Sequence, residues 1–353
     1  MAGIRTGLIV SAAAVAASAL GAAQAGDLRI VQTNSRDSVI HLIDPETHSI
    51  VGTIEDVPVN HGVAAAPDGS RLYFSSEAKE TLDVFDVATM ERIAEIPLPA
   101  RPHNISISPD GARVYVGLMG AAFEDGFGGI QVIDTQALAP AALWDTNSRV
   151  HNTYVTKDGR YVVASMFGGE QNLGVFDAQT GELAWGMYPP RNEGELEGVR
   201  PIAFETNADG STRRLFVQIS DFHGFTVVDF ETQEELTRIE LPERPAEKQE
   251  PGPYTQAPAH GIGVSPDGRT LWVCSRVNGE VYAYSVPELD YLGFVEVGSH
   301  PDWLTFTPDS RFVYVANGHS DDVSVIDIAA IEEVARLPVG AAPKRNITMM
   351  LPD

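Results

Sequence analysis

Three observations predict an all-β ring of seven four-stranded blades, a β-propeller, for this sequence. A strand–turn–strand unit hinged on Asp-Gly-type turns recurs along it. Two further strand-like segments follow each copy, and the C-terminal segment RNITMM (345–350) closely matches HNISIS (103–108), the first strand of an internal copy. Self-similarity at such a period signals a repeat architecture rather than separate domains.

Taken in order, the first 25 residues read as a secretory signal peptide. Arg5 supplies the positive start, GLIVSAAAVAASALGAA is a short apolar run, and Ala23-Gln24-Ala25 is a small-x-small cleavage site. Residues 26–353 then form one domain. Its second strands are LRIVQTN, RLYFSSE, RVYVGLM, RYVVASM, RLFVQIS, TLWVCSR and RFVYVAN. Its third strands are SVIHLID, TLDVFD, GIQVID, NLGVFD, GFTVVD, EVYAYS and DVSVID. Alternating β-branched and aromatic residues between short turn signals indicate antiparallel sheets. No first strand fits between the signal peptide and LRIVQTN, so RNITMM is expected to complete the N-terminal blade. That closes the ring and removes an exposed sheet edge.

The segments RVYVGLM, RFVYVAN and DDVSVIDIAAIEEVARLPVG, with Pro343 soon after, resemble YVTN-type β-propeller repeats. The resemblance covers residues 26–353 and implies a fold similar to the propeller domains of nitrous oxide reductase, haem d1 nitrite reductase and the methylamine dehydrogenase heavy chain. Its motifs specify strands and turns, and a propeller hosts many unrelated sites. The cupredoxin-type copper domain of nitrous oxide reductase has no counterpart here. The other two resemblances imply a subunit that carries or docks a redox partner.

Charge excludes one class of function. The net charge of −25 argues against nucleic acid, whose phosphates need Lys and Arg. No later segment repeats the apolar character of the signal peptide, so membrane insertion is not expected and localisation is periplasmic or secreted. The single cysteine, Cys274, lies in strand-like TLWVCS and reads as a small buried side chain.

The chemistry concentrates at one register. His61, His103, His151 and His260 each precede the Asp of an Asp-Gly pair by seven residues. This places them at the start of the innermost strands, on one mouth of the central channel. Around the ring the position reads Arg345, His61, His103, His151, Ile202, His260 and Asp302. Neighbouring inner strands ~8 Å apart give a ring radius of about 9 Å. Imidazoles reaching ~6 Å inward would end ~3 Å from the axis, near the scale of metal–nitrogen bonds.

That register points to a transition metal, copper favoured by compartment and ligand type, with zinc or iron as alternatives. His61, His103, His151 and His260 are the candidate ligands. Asp302 is a candidate ligand or orienter, and Arg345 a clamp for an anionic substrate. His223, in SDFHGF between Phe222 and Phe225, is a candidate acid–base group. The expected use is redox or metal-assisted chemistry on a small molecule, as in a metal-dependent oxidoreductase. An anion or organic-ligand site, and histidines bonded only to backbone and water, are the competing readings of the cluster. The rival for the whole protein is a non-enzymatic scaffold binding a ligand or a periplasmic redox partner. A lactonase of the divalent-cation type ranks third, because it would need an acidic mouth with Asn and Asp ligands. Three expanded loops, 120–129, 188–201 and 241–260, are expected to project over the same face, the last as a lid.

Overall fold

The computed structural model describes residues 28–120, 128–169, 171–188, 198–250 and 256–352. They form seven antiparallel four-stranded sheets arranged as a ring. Blade one is β1 (Leu28–Asn34), β2 (Ile40–Asp44) and β3 (Ser49–Ile54), completed on its inner side by β28 (Pro343–Met350). Blade two runs outward through β4 (Asn60–Ala65), β5 (Arg71–Ser76), β6 (Thr81–Asp86) and β7 (Arg92–Pro97). Blade three is β8 (Arg101–Ile107), β9 (Arg113–Met119), β10 (Gly128–Asp134) and β11 (Ala139–Asp145). Blade four is β12 (Arg149–Val155), β13 (Tyr161–Phe167), β14 (Leu173–Asp177) and β15 (Leu183–Met187). Blade five is β16 (Val199–Thr206), β17 (Thr212–Ile219), β18 (Gly224–Asp229) and β19 (Glu235–Glu240). Blade six is β20 (Ala259–Val264), β21 (Thr270–Ser275), β22 (Glu280–Ser285) and β23 (Tyr291–Glu296). Blade seven is β24 (Pro301–Phe306), β25 (Phe312–Asn317), β26 (Asp322–Asp327) and β27 (Glu332–Pro338). The segment 345–350 lies in β28 and pairs with β1, Ile347 opposite Val31, so the chain's two ends meet in one blade.

The core lies between blades rather than in one central mass. Middle strands are buried on both faces, and each apolar cluster joins neighbouring sheets. Trp272 of blade six and Val315 of blade seven share one such cluster, and Val31 of blade one and Phe74 of blade two share another. Trp144 stacks on Phe176 of the next blade and Trp185 meets Phe230 edge-on. Cys274 is fully buried among these strands, and burial raises its thiol pKa. His48 is no isolated surface group. Its Nδ1 lies 2.7 Å from the Tyr314 hydroxyl, joining blades one and seven.

A second pattern sets the inner ring. In every blade the pairing between the innermost strand and its neighbour slips near the start of the inner strand, and blade five slips again between Glu205 and Thr206. The slips fall between Asn60 and Val63, Pro102 and Ile105, Val150 and Asn152, and Val199 and Ile202. They recur between Ala259 and Ile262, between Pro301 and Trp303, and opposite Gln32–Asn34 in β28. A bulge frees residues from the ladder and re-aims their side chains. Glycine follows two of the freed histidines because the neighbouring blade is too close for a side chain. A Cβ on Gly62 would meet the His103 carbonyl oxygen at 2.8 Å, and Gly261 has φ +98°. Ser75 fastens the same joint, accepting the Gly62 N–H and donating to the His103 carbonyl.

Removing residues 343–353 should leave the inner edge of β1 unpaired and blade one incomplete. The expected outcome is loss of the cooperative thermal transition followed by circular dichroism, with association of the exposed edges on size exclusion. Retention of the full-length melting profile would show that closure does not hold the ring.

Candidate functional site

The freed residues converge. Ring centroids of His61 and His103 are 3.9 Å apart, those of His103 and His151 4.5 Å, and those of His151 and His260 5.5 Å. All four histidines are buried. The blade-five position carries Ile202, so His151 and His260 meet across it. Trp303 continues the series, 5.4 Å from His260.

Three of the four rings are held through Nδ1, whereas the buried Nδ1 of His151 has no hydrogen-bond partner. His61 Nδ1 lies 2.5 Å from Glu77 Oε1, His103 Nδ1 2.9 Å from the His151 carbonyl, and His260 Nδ1 2.8 Å from the Asp302 carbonyl. Those acceptors have no proton to give, so Nδ1 carries the hydrogen in all three, and the Nε2 lone pair is left as acceptor, base or ligand. Burial is the main cause holding all four imidazoles well below their ordinary pKa. Positive charge adds to it, from Lys344, Arg101, Arg345 and Arg276 around His61 and from Arg276, Lys344 and Arg200 around His260. The Glu77 carboxylate therefore faces a neutral, hydrogen-bonded imidazole.

The cations come from the same bulges and the loops beside them. Lys344 and Arg276 both pair with the buried carboxylate of Asp302. Burial and the adjacent Arg276 lower the Lys344 pKa to about 7. Arg200 lies over Phe167, 4.5 Å from the ring centre, and burial lowers its pKa to about 10. Arg345 crosses the channel from blade one. Its guanidinium lies 4.1 Å from the Trp303 ring centre and 5.9 Å from that of Tyr154 in blade four.

Among the described residues, one group could hold a metal ion: His61, Glu77 and His103, whose ligand atoms lie within 4.8 Å of one another. This differs from the expected set. His151 and His260 belong to the stack but not to this group, and Glu77 from the loop after β5 replaces them. Asp302 is not in this group, and Lys344 and Arg276 pair with its two carboxylate oxygens. His223 lies apart from the stack, its Nε2 2.7 Å from the Ser275 hydroxyl, and burial lowers its pKa to about 4. Phe222 and Phe225 are buried beside it as expected, but its bond links blades five and six. His300 stacks on His319 with centroids 4.0 Å apart and approaches Asp302 to 4.0 Å.

The family model for seven-bladed β-propeller lactonases matches residues 129–335, more than half of the chain. The chain belongs to this family. The lactonase class ranked third in the sequence reading, on the assumption that it would need an acidic, cation-binding mouth. The mouth found here sets the carboxylates of Glu77 and Asp302 against imidazoles and cations instead. The YVTN-type label rests on strand motifs alone, whereas the propeller they implied is the observed fold.

Solved structures agree on that fold. The periplasmic gluconolactonase of Pseudomonas aeruginosa superposes with a TM-score of 0.70 at 20% identity, over 92% of this chain and 100% of that one. Hydrazine synthase of Kuenenia stuttgartiensis gives a TM-score of 0.67 at 20% identity, over 83% and 90%. The dihydro-haem d1 dehydrogenase NirN gives 0.61 at 16% identity, over 95% and 77%. At these identities the likeness extends to the fold alone.

Glu77, one loop carboxylate among many in an acidic sequence, is the acid that meets His61 at this mouth. Lys344, Arg276, Arg200 and Tyr154 were not anticipated. Lys344 and Arg276 do adjoin quoted segments, before RNITMM and at the end of TLWVCSR. Residues 1–25, Glu124 and Asp125, and most of the expanded loops at 120–129 and 188–201 lie outside the described residues. So does part of the loop at 241–260.

The lowered imidazole pKa values set a sign for pH dependence. Unfolded histidines bind protons below about pH 6.5, whereas folded His61, His103, His151 and His260 do not, so stability falls with pH below that point. Each contributes a slope of up to about 1.4 kcal/mol per pH unit. Urea midpoints should fall between about pH 6.5 and pH 5, and less steeply in His103→Gln/His151→Gln. A flat profile, or an equal slope in the double variant, would contradict neutral burial of these rings.

Proposed function

We propose that the protein is a lactone hydrolase whose chemistry takes place at the histidine-lined mouth. The observation that carries this reading is the meeting of a carboxylate-oriented neutral imidazole with a cluster of cations, in a chain whose net charge is −25. Family membership points to the same reaction class.

Hydrolysis of a lactone starts from a neutral ester and develops negative charge, first on the carbonyl oxygen and then as a carboxylate. Groups that favour charge only as it develops lower the barrier without trapping the substrate. His61 suits the base. Glu77 holds its Nδ1 hydrogen, and its Nε2 lone pair can take a proton from an attacking water. As the water oxygen bonds to the carbonyl carbon, the ring carbon–oxygen bond breaks and the departing alkoxide takes up a proton. The product is an open hydroxy acid. Arg345, Arg101 and Arg276 supply positive charge beside His61, where the oxyanion and then the carboxylate form. Apolar surroundings raise the worth of each charge.

A second reading keeps a transition metal. The Nε2 lone pairs of His61 and His103 with the Glu77 carboxylate form a chemically suitable donor set for zinc, copper or iron. A bound ion there would supply Lewis acidity or redox capacity. The surrounding cations oppose a further positive charge, which favours the hydrolytic reading without an ion. Export to the periplasm, expected from residues 1–25, fits a site for small exported metabolites.

Lactone opening by the purified protein, followed as base uptake in a pH-stat, is the test. Aldonolactones should be hydrolysed, and His61→Ala and Glu77→Gln should each lower kcat by about 10²- to 10⁴-fold. Activity that survives exhaustive chelation, in protein free of metal by elemental analysis, supports the imidazole mechanism. Stoichiometric metal that His103→Ala removes, together with activity, would establish the metal reading. No hydrolysis of any lactone would overturn the proposal.

A further inference from the structure

Four cations at the mouth have a carboxylate to answer them. Lys344 and Arg276 share Asp302, Arg101 Nε lies 3.7 Å from Glu77 Oε2, and Arg200 feels the charge of Asp221. Arg345 differs. Its Nε and Nη1 are closed to solvent and have no hydrogen-bond partner, and the one ionisable group acting on it is the Tyr154 phenol. A guanidinium cannot shed its charge as a lysine or histidine can. Buried positive charge with no counter-charge is costly, and an anion removes the cost.

We propose that Arg345 and Tyr154 form a buried binding site for a small monovalent anion, either a halide or the carboxylate of a small organic acid. This does not depend on lactone hydrolysis.

Tyr154 supplies the second donor. Its oxygen accepts from the Ile202 backbone N–H at 3.1 Å and from Asn152 Nδ2 at 2.7 Å. Asn152 is fixed in that orientation, because its Oδ1 accepts from Asn104 Nδ2, which also reaches the His151 carbonyl at 3.4 Å. Arg345 reaches the same phenolic oxygen from across the channel. All of these neighbours are donors, so the phenolic hydrogen has no acceptor among the described residues. Buried donors are nearly always paired in folded proteins. The Tyr154 hydrogen and the Arg345 N–H groups, brought together from blades four and one, are answered at once by a single negatively charged acceptor.

The surroundings set the size and charge of the occupant. The Trp303 ring centre lies 4.1 Å from the guanidinium and that of Tyr154 5.9 Å, so the anion meets Arg345 at its N–H edge between aromatic walls. Ile202 is buried beside the Tyr154 hydroxyl, and the neutral His61 ring lies within the field of Arg345. Such walls strengthen the attraction between ion and guanidinium by excluding water. One unanswered positive charge calls for one negative charge, which selects a monovalent ion.

The line width of the chloride magnetic resonance, measured with purified protein at constant ionic strength, reads halide binding. Wild type should broaden it saturably. Arg345→Met should abolish the broadening with its fold retained by circular dichroism, and exposed Arg269→Gln should leave it unchanged. Tyr154→Phe, which removes only the hydroxyl, should weaken binding by about tenfold, the loss of one hydrogen bond to a charged group. If Arg345→Met does not fold, Tyr154→Phe decides together with the position of bromide in crystals grown with it. Calorimetric titration with formate is the second arm. Chloride binding without formate binding confines the site to halides, and the reverse assigns it to carboxylates; either upholds the site. Binding of neither anion, binding that survives unchanged in both variants, or bromide found only away from Arg345 and Tyr154 would overturn the proposal.

Discussion

One local distortion, made in every blade, holds the mouth of this protein together. A regular inner strand would point alternate residues into the neighbouring blades and pair every backbone group with the second strand. The slip in register at the start of each inner strand releases residues from that rule. His61, His103, His151, His260 and Asp302 all lie within the slipped intervals, and in blade one the interval contains both Lys344 and Arg345. Rotational closure then brings these seven places to one centre. Neither element suffices alone, since bulges in an open sheet would scatter the side chains and a ring of regular strands would bury them between blades.

The electrostatics follow from that convergence. Burial penalises charge on every group at the mouth, and the groups answer differently. The imidazoles stay neutral, the guanidiniums remain charged, and Lys344 falls between. Asp302 makes the arrangement tolerable by placing a buried carboxylate between Lys344 and Arg276, so three charges enter the protein with a net of one. The overall acidity has no counterpart here. Residues such as Glu231 and Glu288 lie on exposed turns, and Glu332 is exposed on an outer strand, so much of the acidity lies on other surfaces of the ring than the positive mouth.

The ring was legible in the sequence because turn chemistry and strand alternation are local signals. Asp68, Asp110, Asp158 and Asp267 each cap a tight turn through a side-chain bond to a backbone N–H two residues on. That bond makes the Asp-Gly spacing a faithful ruler for the histidines. The bulge was not legible, since a ladder slip leaves no compositional mark. It is the reason that Lys344 escaped notice while its neighbour Arg345 was placed correctly. Glu77 was ambiguous for a different reason. A loop carboxylate in an acidic chain is ordinary until a neighbouring blade brings an imidazole to within 2.5 Å of it. For His223 the apolar neighbours were legible, while its hydrogen bond to Ser275 of the next blade was not.

The one apolar member of the ring explains why the site is off-centre. Ile202 is buried, and its backbone N–H donates to the Tyr154 hydroxyl rather than to solvent. A fifth imidazole there would have continued an even ring, with each histidine touching only its sequence neighbours. Its absence lets His151 reach His260 directly, and the four rings form an open arc with distinct ends. Glu77 stands at the His61 end; Asp302, with its two cations, stands at the His260 end. An arc whose two ends differ, with Glu77 on His61 at one and Asp302 on Lys344 and Arg276 at the other, can orient an unsymmetrical molecule. A closed ring of identical ligands would bind a symmetrical one as readily in any rotation. The replacement of histidine by isoleucine in blade five is thus what turns a repeated structural position into a site with direction.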